Sequence, residues 1–398
     1  MTYLVAAVAW VGHLVLMIGS HNWVYGHALG KKAGDVFHLL HALAVLLFGP
    51  VLLATFGWHL TGLLDPSTAT PVQLLVQGYG VVCLLAALGW LPVVTVWRAL
   101  RRDAATAVRG ETIDVARQLG HRPLGNGHHA FLGKLPGNEI FRIECNEKTL
   151  VIPRLPAAWD GLTVLHLSDI HLHGTPDEAY FRTVFERCAA WQPDLVAITG
   201  DVVDTDTHHA WVAPLLGLLR WRVAAVAILG NHDHRRDVDR IRGELRRLNM
   251  LVPENSWTTL QVRGEPLVVI GHEGPWLQPP PDLSGCPTGP FRLLLSHTPD
   301  NIAWAKQNAV DLMLSGHVHG GQIRVPVFGS LLLPSVYGRT YDAGTFAEPP
   351  TLLHVSRGVS GEHPVRYGCL PEVTLLTLQG EKNSPQRTQR DTEEKKES

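Results

Sequence analysis

The chain has 398 residues, with 34 basic and 36 acidic side chains and a formal net charge of -2. This balance gives no electrostatic support for nucleic-acid binding. The five cysteines are odd in number and form no C-x-x-C pair, which argues against a disulfide framework and against a cysteine-based zinc module. The length is sufficient for a sizeable core and for more than one domain.

The first quarter of the chain is strongly apolar. Residues 3–18, 36–58 and 72–97 form three apolar segments with almost no charge. A helix needs about 20 such residues to cross a bilayer, so the second and third segments are long enough and the first must extend towards Tyr25. We therefore predict about three transmembrane helices within residues 1–98, rather than buried helices of a soluble core, with the lipid bilayer as a partner.

Basic residues predict how these helices are oriented. The loop at residues 59–71 has no Lys or Arg, whereas the other flanking regions carry Lys31, Lys32, Arg98, Arg101, Arg102 and Arg109. With three spans, both basic regions fall on one side, which the positive-inside rule makes cytoplasmic. The sequence thus predicts an integral inner (cytoplasmic) membrane protein whose remaining chain lies in the cytoplasm.

Histidines occur in or near the apolar segments, at positions 13, 38, 41 and 59. Ionisable residues in a membrane raise the possibility of haem binding or proton transfer. We favour neutral imidazoles bonded to neighbouring helices, because no second pattern supports a haem site or a proton pathway.

The rest of the chain divides by its patterning. Residues 99–138 are predicted as a linker with a short helix near 104–119, and residues 139–380 as a catalytic domain opened by a hairpin at 139–153. Strands then alternate with helices, which indicates an α/β layered fold. Residues 381–398 contain no apolar side chain and are predicted to be a disordered tail.

Five polar clusters follow predicted strands one after another. They are Asp169-Ile170-His171, Gly200-Asp201-Val202-Val203-Asp204, Gly230-Asn231-His232-Asp233, Ser296-His297 and Gly316-His317-Val318-His319-Gly320-Gly321. Open α/β sheets gather ligands at the carboxyl ends of their strands. Carboxylate and imidazole groups bind first-row divalent metals, so this order of clusters predicts a metal site.

The order D-x-H, G-D-x-x-D, G-N-H-D, H and G-H-x-H resembles the calcineurin-like metallophosphoesterase superfamily over about residues 140–378. Residues 316–323, 333–338 and 355–358 further resemble its bacterial membrane-linked phosphodiesterase branch. That branch includes relatives that cleave UDP-2,3-diacylglucosamine. The resemblance implies a four-layer αββα sandwich, here preceded by the transmembrane helices.

The resemblance also implies a role for each residue of the clusters. One metal would be held by Asp169, His171 and His319, and a second by Asn231, His297 and His317. Asp201 would bridge the two metals, and His232 would point at the substrate instead of binding metal. From the residues themselves, Asp204 and Asp233 are expected to orient their neighbours through hydrogen bonds.

The cofactors expected are two divalent ions, with manganese preferred and iron, zinc, cobalt or nickel as alternatives. They would supply a bridging hydroxide that hydrolyses a phosphodiester or diphosphate, with UDP-2,3-diacylglucosamine in lipid A synthesis as the sharpest hypothesis. A soluble nucleotide or other phosphodiester is the alternative substrate. Two further classes of protein stay open: a non-catalytic membrane scaffold, and a transporter or haem protein with a phosphoesterase regulator. No protein partner is implied.

Several polar residues outside the clusters have two interpretations. Arg339, Arg357 and Arg366 are candidates for phosphate binding or ordinary surface arginines. His166 lies inside a predicted strand and is expected to be a packed core histidine. Substrate-binding residues are not identified, and the His272-Glu273 pair departs from the acidic pair that relatives often carry.

Overall fold

The computed structural model describes residues 1–27 and 31–381. From residue 382 onwards, the predicted tail lies outside the described residues. The chain divides into two compact units. The helical unit comprises Met1–Arg102 and Leu331–Thr340, and the sheet unit comprises Asp103–Ser330 and the chain from Tyr341 onwards.

The helical unit contains three helices long and apolar enough to cross a membrane: Thr2–Tyr25, Lys32–Phe56 and Pro71–Arg98. Its elements are α1 (Thr2–Tyr25), α2 (Lys31–Phe56), α3 (Pro71–Leu85), a π-helical turn (Ala86–Trp90) and α4 (Leu91–Leu100). Only 17% of the residues in each apolar window are buried, so most of their apolar surface faces outwards. The prediction that the first segment extends to Tyr25 is confirmed by the bounds of α1.

The π-helical turn has a local cause in the sequence. Pro92 has no N–H to donate to the preceding turn, and Leu91 N–H reaches back to Ala86 O at the end of that turn. The helix continues as α4 instead of breaking, because one wider π-helical turn accommodates the hydrogen bond that Pro92 cannot make. The third apolar segment therefore remains one continuous helical element.

Two histidines of the helical unit, the buried His13 and the half-buried His41, contact neighbouring helices. His13 Nδ1 lies 2.7 Å from Tyr79 Oη, and its Nε2 lies 3.1 Å from Ala44 O. His41 Nε2 lies 2.7 Å from Met17 O. Both ring nitrogens of His13 therefore have partners on neighbouring helices, and His41 contacts α1.

The segment 331–340 packs against the ends of two helices within the helical unit. The buried Asn22 side chain donates to Leu331 O over 2.8 Å and accepts from Leu333 N over 2.9 Å. A Cβ at Gly26 would lie 2.3 Å from Val336 N, so this approach requires glycine. The Arg101 guanidinium donates to Thr340 O at the end of α4. The carboxyl ends of α1 and α4 therefore meet the same segment.

The sheet unit is built from fifteen strands within its described part. They are β1 (Ala107–Asp114), β2 (Arg142–Ile152), β3 (Leu162–Leu167), β4 (Leu195–Thr199), β5 (Ala224–Ile228), β6 (Met250–Leu251), β7 (Trp257–Val262), β8 (Glu265–His272), β9 (Phe291–Ser296), β10 (Leu312–Ser315), β11 (Arg324–Val325), β12 (Gly329–Ser330), β13 (Gly344–Glu348), β14 (Thr351–Val355) and β15 (Glu372–Gly380). Its helices are α5 (Val115–Leu119), α6 (Glu178–Ala189), α7 (Val212–Leu216), α8 (Val238–Arg247) and α9 (Ile302–Gln307).

Two large sheets form the centre of this unit. The first has the order β1-β2-β15-β3-β4-β5-β6, and the second has the order β13-β14-β10-β9-β8-β7. Strands β3, β4 and β5 are parallel in the first sheet, as are β8, β9, β10 and β14 in the second. Their carboxyl ends carry the predicted polar clusters.

Alternating side chains divide the apolar core into layers. Leu162 and Val164 of β3 belong to an apolar cluster between the two sheets, together with Leu293 of β9 and Leu314 of β10. Leu165 and Leu167 face the opposite side, where apolar residues of α6, α7 and α8 cover the first sheet. Helix α9 contacts β14 of the second sheet. The α/β fold of the sequence analysis, a four-layer αββα sandwich, is therefore confirmed.

The structure differs from the sequence expectation at residues 99–153. Within the predicted linker, residues 107–114 form β1 instead of a helix, and β1 pairs antiparallel with β2. The predicted hairpin at 139–153 is wrong, because β2 runs unbroken from Arg142 to Ile152. Polar residues of β2 have partners inside the sheet: Asn146 donates to Glu372 over 3.0 Å, and the buried Lys148 lies 3.8 Å from Asp103.

Trp159 provides a test of the layer between the sheets. Its indole is fully buried, donates to Val262 O over 2.6 Å and meets Phe291 edge-to-face at 5.5 Å. We expect Trp159→Ala to destabilise the sheet unit by about 3–5 kcal/mol, since it removes a large buried side chain. Trp159→Phe, which loses chiefly the hydrogen bond, should cost about 1–2 kcal/mol. Chemical denaturation of the purified protein measures both values, and equal costs for the two variants would contradict this packing.

Candidate metal centre

The polar clusters share a backbone conformation that few residues adopt. Asp169, His171, Asp201, His317 and His319 all have positive φ, at 51°, 52°, 54°, 69° and 50°. Such angles are costly for residues with a Cβ and concentrate at functional sites. The strands that precede these residues are buried, so the rigid sheets hold the strained turns in place.

Glycines allow the loops to approach one another. A Cβ at Gly316 would lie 1.8 Å from Ser168 Oγ and 2.1 Å from Asp169 Oδ2. A Cβ at Gly230 would lie 2.2 Å from Asp201 Oδ1. Any side chain at these two positions would push the carboxylates apart.

The first group of side chains contains Asp169, His171, Asp201 and His319, whose ligand atoms lie within 4.8 Å of one another. His319 Nε2 lies 3.2 Å from Asp169 Oδ1 and 3.1 Å from His171 Nε2. His171 Nε2 lies 3.7 Å from Asp201 Oδ2. The carboxylate oxygens and imidazole nitrogens therefore point to one small volume.

The second group contains Asp201, His297 and His317. His297 Nε2 lies 3.2 Å from Asp201 Oδ2 and 3.0 Å from Asn231 Oδ1. The rings of His297 and His317 are 4.9 Å apart. Asp201 is the member common to both groups, and Asn231 adds a neutral oxygen to the second.

The remaining hydrogen bonds orient the imidazoles as metal ligands. His171 Nδ1 donates to Asp204, and His297 Nδ1 donates to Thr199 O over 2.7 Å, so in each ring the Nε2 lone pair points inwards. His317 Nε2 is buried and has no hydrogen-bond partner among the residues that the structure describes. Burial and the neighbouring His297 lower the pKa of His317 to about 3, which keeps this imidazole neutral. The residues present therefore fit two divalent cations.

Asp204 connects the first group to His232. Its Oδ1 lies 2.9 Å from His171 Nδ1 and 3.1 Å from His232 Nδ1. Burial opposes protonation of His232, but the Asp201 and Asp204 carboxylates outweigh it and raise the pKa of His232 to about 10. The ring is 14% exposed, and its Nε2 lies 3.8 Å from Glu362. His232 is therefore a protonated and partly accessible imidazole beside the clustered ligands.

Two buried carboxylates fix the loop that carries Asn231. Asp233 accepts hydrogen bonds from the backbone of Val202, Val203 and Gly230, each over 2.9 Å. Glu273 accepts from Leu229 N over 2.9 Å and pairs with Arg242. These contacts fasten the Asn231 loop to the Asp201 loop on one side and to the end of β8 on the other.

Sequence reasoning missed Trp276 and Glu362. The half-buried Trp276 ring lies 4.7 Å from the His317 ring and 5.6 Å from the His297 ring, and so forms a wall of the second group. Both residues lie in loops without a distinctive pattern, so no local signal in the sequence could have found them. The structure alone brings them to the site.

Two candidate phosphate-binding arginines have internal partners. Arg366 is fully buried and donates to His319 O over 2.9 Å and Arg357 O over 2.8 Å. Arg357 pairs with Glu372 at 2.6 Å and with Glu144. Arg366 supports the loop of His319 and is closed to substrate, whereas the Arg357 guanidinium is held by two carboxylates and is 13% exposed. His166 is a packed core histidine, as expected.

Comparisons with known proteins agree with this geometry. The family model for the calcineurin-like phosphoesterases matches residues 162–321. The uncharacterized metallophosphoesterase YkuE of Bacillus subtilis is 32% identical over 249 residues, which cover 60% of this chain and 87% of that protein. The chain belongs to the calcineurin-like phosphoesterase family. It is a metal-dependent phosphoesterase.

Two further relatives carry more specific names. The phosphodiesterase YaeI of Escherichia coli is 30% identical over 224 residues, covering 54% of this chain and 81% of that protein. The UDP-2,3-diacylglucosamine pyrophosphatase LpxG of Chlamydia trachomatis is 25% identical over 286 residues, covering 56% of this chain and 86% of that protein. Both similarities extend over most of the relative.

Metal content tests the shared position of Asp201. The purified protein should hold about two divalent ions. Asp201→Asn should lose affinity for both, whereas His317→Ala should lose mainly one, because His317 belongs to a single group. Elemental analysis after dialysis measures the stoichiometry, with the exposed Asp206→Asn as the control. Retention of two ions by Asp201→Asn would contradict the bridging position.

Proposed function

We propose that the chain is a membrane-anchored dimetal phosphoesterase that hydrolyses a phosphodiester or diphosphate bond. The observation that carries this proposal is the membership of Asp201 in both ligand groups. A carboxylate between two sets of inward-facing nitrogens and oxygens is the arrangement that two adjacent cations require. The catalytic domain is proposed to span residues 139–380, with β1 of the former linker added to its sheet.

The proposed ligands are Asp169, His171 and His319 for one ion, and Asn231, His297 and His317 for the other, with Asp201 shared. Bound divalent ions would supply positive charge for the phosphoryl oxygens and a water acidic enough to ionise near neutral pH. This set of oxygen and nitrogen ligands without thiolate favours manganese, with iron, zinc, cobalt or nickel as alternatives. Asn231 contributes no charge, so the site retains a net attraction for an anionic substrate.

The chain's own residues supply the proton for the departing group. His232 lies outside the two groups that share Asp201, with Nδ1 held by Asp204 and Nε2 directed away from it. In this orientation a protonated Nε2 can donate to the leaving oxygen of a bound phosphoester. Asp204 also orients His171, so a single carboxylate positions both a metal ligand and the acid.

The anchor is proposed to be the three helices of the helical unit. Their lengths, apolar composition and exposed surfaces support membrane insertion. The basic residues after α1 and α4 favour a cytoplasmic position for the carboxyl ends of these helices, and hence for the catalytic domain at the inner membrane. Anchoring raises the effective concentration of the site towards substrates held in the same bilayer.

The substrate class that fits this setting is a nucleotide-linked lipid with a diphosphate. UDP-2,3-diacylglucosamine is the sharpest candidate, supported by the similarity to LpxG. A soluble nucleotide or other phosphodiester is the second candidate, supported by the similarity to a phosphodiesterase. A non-catalytic scaffold is disfavoured, because such a protein has no need to keep all seven ligand side chains and His232 in convergent positions.

The role of His232 is testable with two leaving groups. His232→Ala should lower kcat for an alkyl phosphodiester by about 10²–10⁴, because protonation of a basic leaving oxygen is lost. The loss should be much smaller for bis(p-nitrophenyl) phosphate, whose leaving group departs without a proton. Steady-state kinetics with added Mn²⁺ measure both rates.

The matched control is His234→Ala, since His234 is exposed and lies two residues away in the same loop. Its rates should equal those of the parent protein, and both variants should retain the parent metal content. An equal loss by His232→Ala on both substrates would refute the acid role and point to disturbed metal binding.

The substrate proposal is tested by product analysis. Protein reconstituted in lipid and supplied with Mn²⁺ should convert UDP-2,3-diacylglucosamine to UMP and diacylglucosamine 1-phosphate, as read by mass spectrometry. Asp201→Asn serves as the inactive control. Turnover of cyclic or linear soluble phosphodiesters, with no UMP released from the lipid, would instead favour the second candidate.

A further inference from the structure

The hairpin at residues 323–332 carries a group of apolar side chains that face solvent. Ile323 is 48% exposed, Val325 37%, Val327 85% and Phe328 40%. The remaining exposed large apolar side chains in the described part of the sheet unit are scattered: Val108, Phe131, Leu135, Val223 and Leu251. A concentrated patch of this kind marks an interaction surface.

The hairpin is fixed with its apolar side outwards. Strands β11 and β12 pair Arg324 with Ser330 and Val325 with Gly329. The Arg324 side chain turns inwards, where it donates to Gly320 O over 3.1 Å and to Asp342 over 3.2 Å. Because side chains alternate along a strand, Ile323 and Val325 must point to the opposite face. The exposure of Ile323 and Val325 is therefore fixed by the strand pairing and by the bonds of Arg324.

Val327 at the tip of the hairpin has two energetic costs in water. It has φ +70°, in a γ-turn closed by the bond from Phe328 N to Pro326 O, where glycine or asparagine is far less strained than a β-branched residue. It also leaves most of its apolar surface in water. An apolar environment around the tip would remove the second cost.

The chain itself limits how far this tip can lie from a membrane. The segment beginning at Leu331 is bonded to Asn22, close to the carboxyl end of α1. Helix α1 has 24 residues, about 36 Å, and so ends at the surface of a hydrocarbon core about 30 Å thick. Val327 precedes Leu331 by four residues, which span at most about 14 Å. The tip is therefore confined to the neighbourhood of the bilayer surface.

We propose that the 323–332 hairpin inserts its apolar tip into the lipid interface, on the side of the membrane where α1 and α4 end. The occupant of the patch is the bilayer itself, and insertion buries Val327 and Phe328 among lipid headgroups and the first acyl carbons. The proposal rests on the proposed membrane anchoring. It also deepens the proposed function, because Ile323 follows the proposed ligand His319 by only four residues. A phosphoester at the lipid surface would then meet the metal centre without leaving the membrane.

Fluorescence of a label at the tip tests insertion in the full-length protein. Val327→Cys and, separately, Phe328→Cys are labelled with the polarity-sensitive dye NBD and reconstituted in equimolar phosphatidylcholine and phosphatidylglycerol vesicles. The five native cysteines are buried, and unlabelled parent protein treated with the dye gives the background. The matched control is Val223→Cys, since Val223 is also exposed and apolar but lies before β5.

We expect the emission of both tip labels to shift to the blue and to be quenched by lipids with a nitroxide near the headgroup, while the label at 223 does neither. Emission at 327 and 328 equal to that at 223 would overturn the proposal. A blue shift that grows with the protein-to-lipid ratio, without quenching by the nitroxide lipids, would also overturn the proposal. It would indicate that the tip contacts a second copy of the chain. Carbonate extraction tests anchoring and hydrolysis of bis(p-nitrophenyl) phosphate tests activity on the same sample, so failure of either is distinguished from failure of insertion.

Discussion

The constraint on which the proposed metal centre depends is the burial of two ionised carboxylates next to several imidazoles. Asp169 and Asp201 are fully buried, and burying a charge without compensation costs several kcal/mol. Within the chain, compensation comes from backbone donors: His317 N donates to Asp169 over 3.0 Å, and His232 N donates to Asp201 over 2.8 Å. These bonds leave further oxygen lone pairs and inward-facing nitrogens, which the proposed divalent cations would satisfy. The positive φ angles of Asp169, His171, Asp201, His317 and His319 are tolerable because the buried strands before them hold the turns in place.

The ligand positions also depend on a polar connection that runs through the apolar core between the sheets. Thr199, whose carbonyl oxygen accepts from His297, places its Oγ1 2.9 Å from His166 Nε2. His166 Nδ1 in turn lies 2.9 Å from His354 Nδ1. Burial lowers the pKa of His166 to about 4, so the pair is neutral and one ring donates to the other. The connection joins β4 and β3 of the first sheet to β14 of the second. The relative position of the sheets is thereby coupled to the orientation of a proposed ligand.

The sequence was sufficient for the candidate ligands because each cluster is local. A buried strand followed at once by Asp169 or Asp201 is visible in a few consecutive letters, and so is the spacing of His317 and His319. The order of these clusters along the chain also revealed the resemblance to a family, and that resemblance predicted the layered fold. Pairing between distant segments has no such signal, so the place of β15 between β2 and β3 could not be predicted. The unbroken course of β2 could not be predicted either, because Asn146 within it is bonded to Glu372, 226 residues away.

The buried Asn22 gives the helical unit a polar requirement that its apolar composition does not reveal. Asn22 is buried near the end of α1, where an amide without partners would be costly in a membrane helix. Both of its partners belong to the segment that begins at Leu331, more than 300 positions later in the chain. Helix α1 therefore reaches its low-energy arrangement only when a segment inserted between β12 and β13 is in place. A membrane anchor with no further role would not require a buried side chain of α1 to bond to a segment between β12 and β13. The 323–332 hairpin overlaps the start of that segment, so only four positions of chain separate Val327 from Leu331, whose carbonyl oxygen accepts from Asn22.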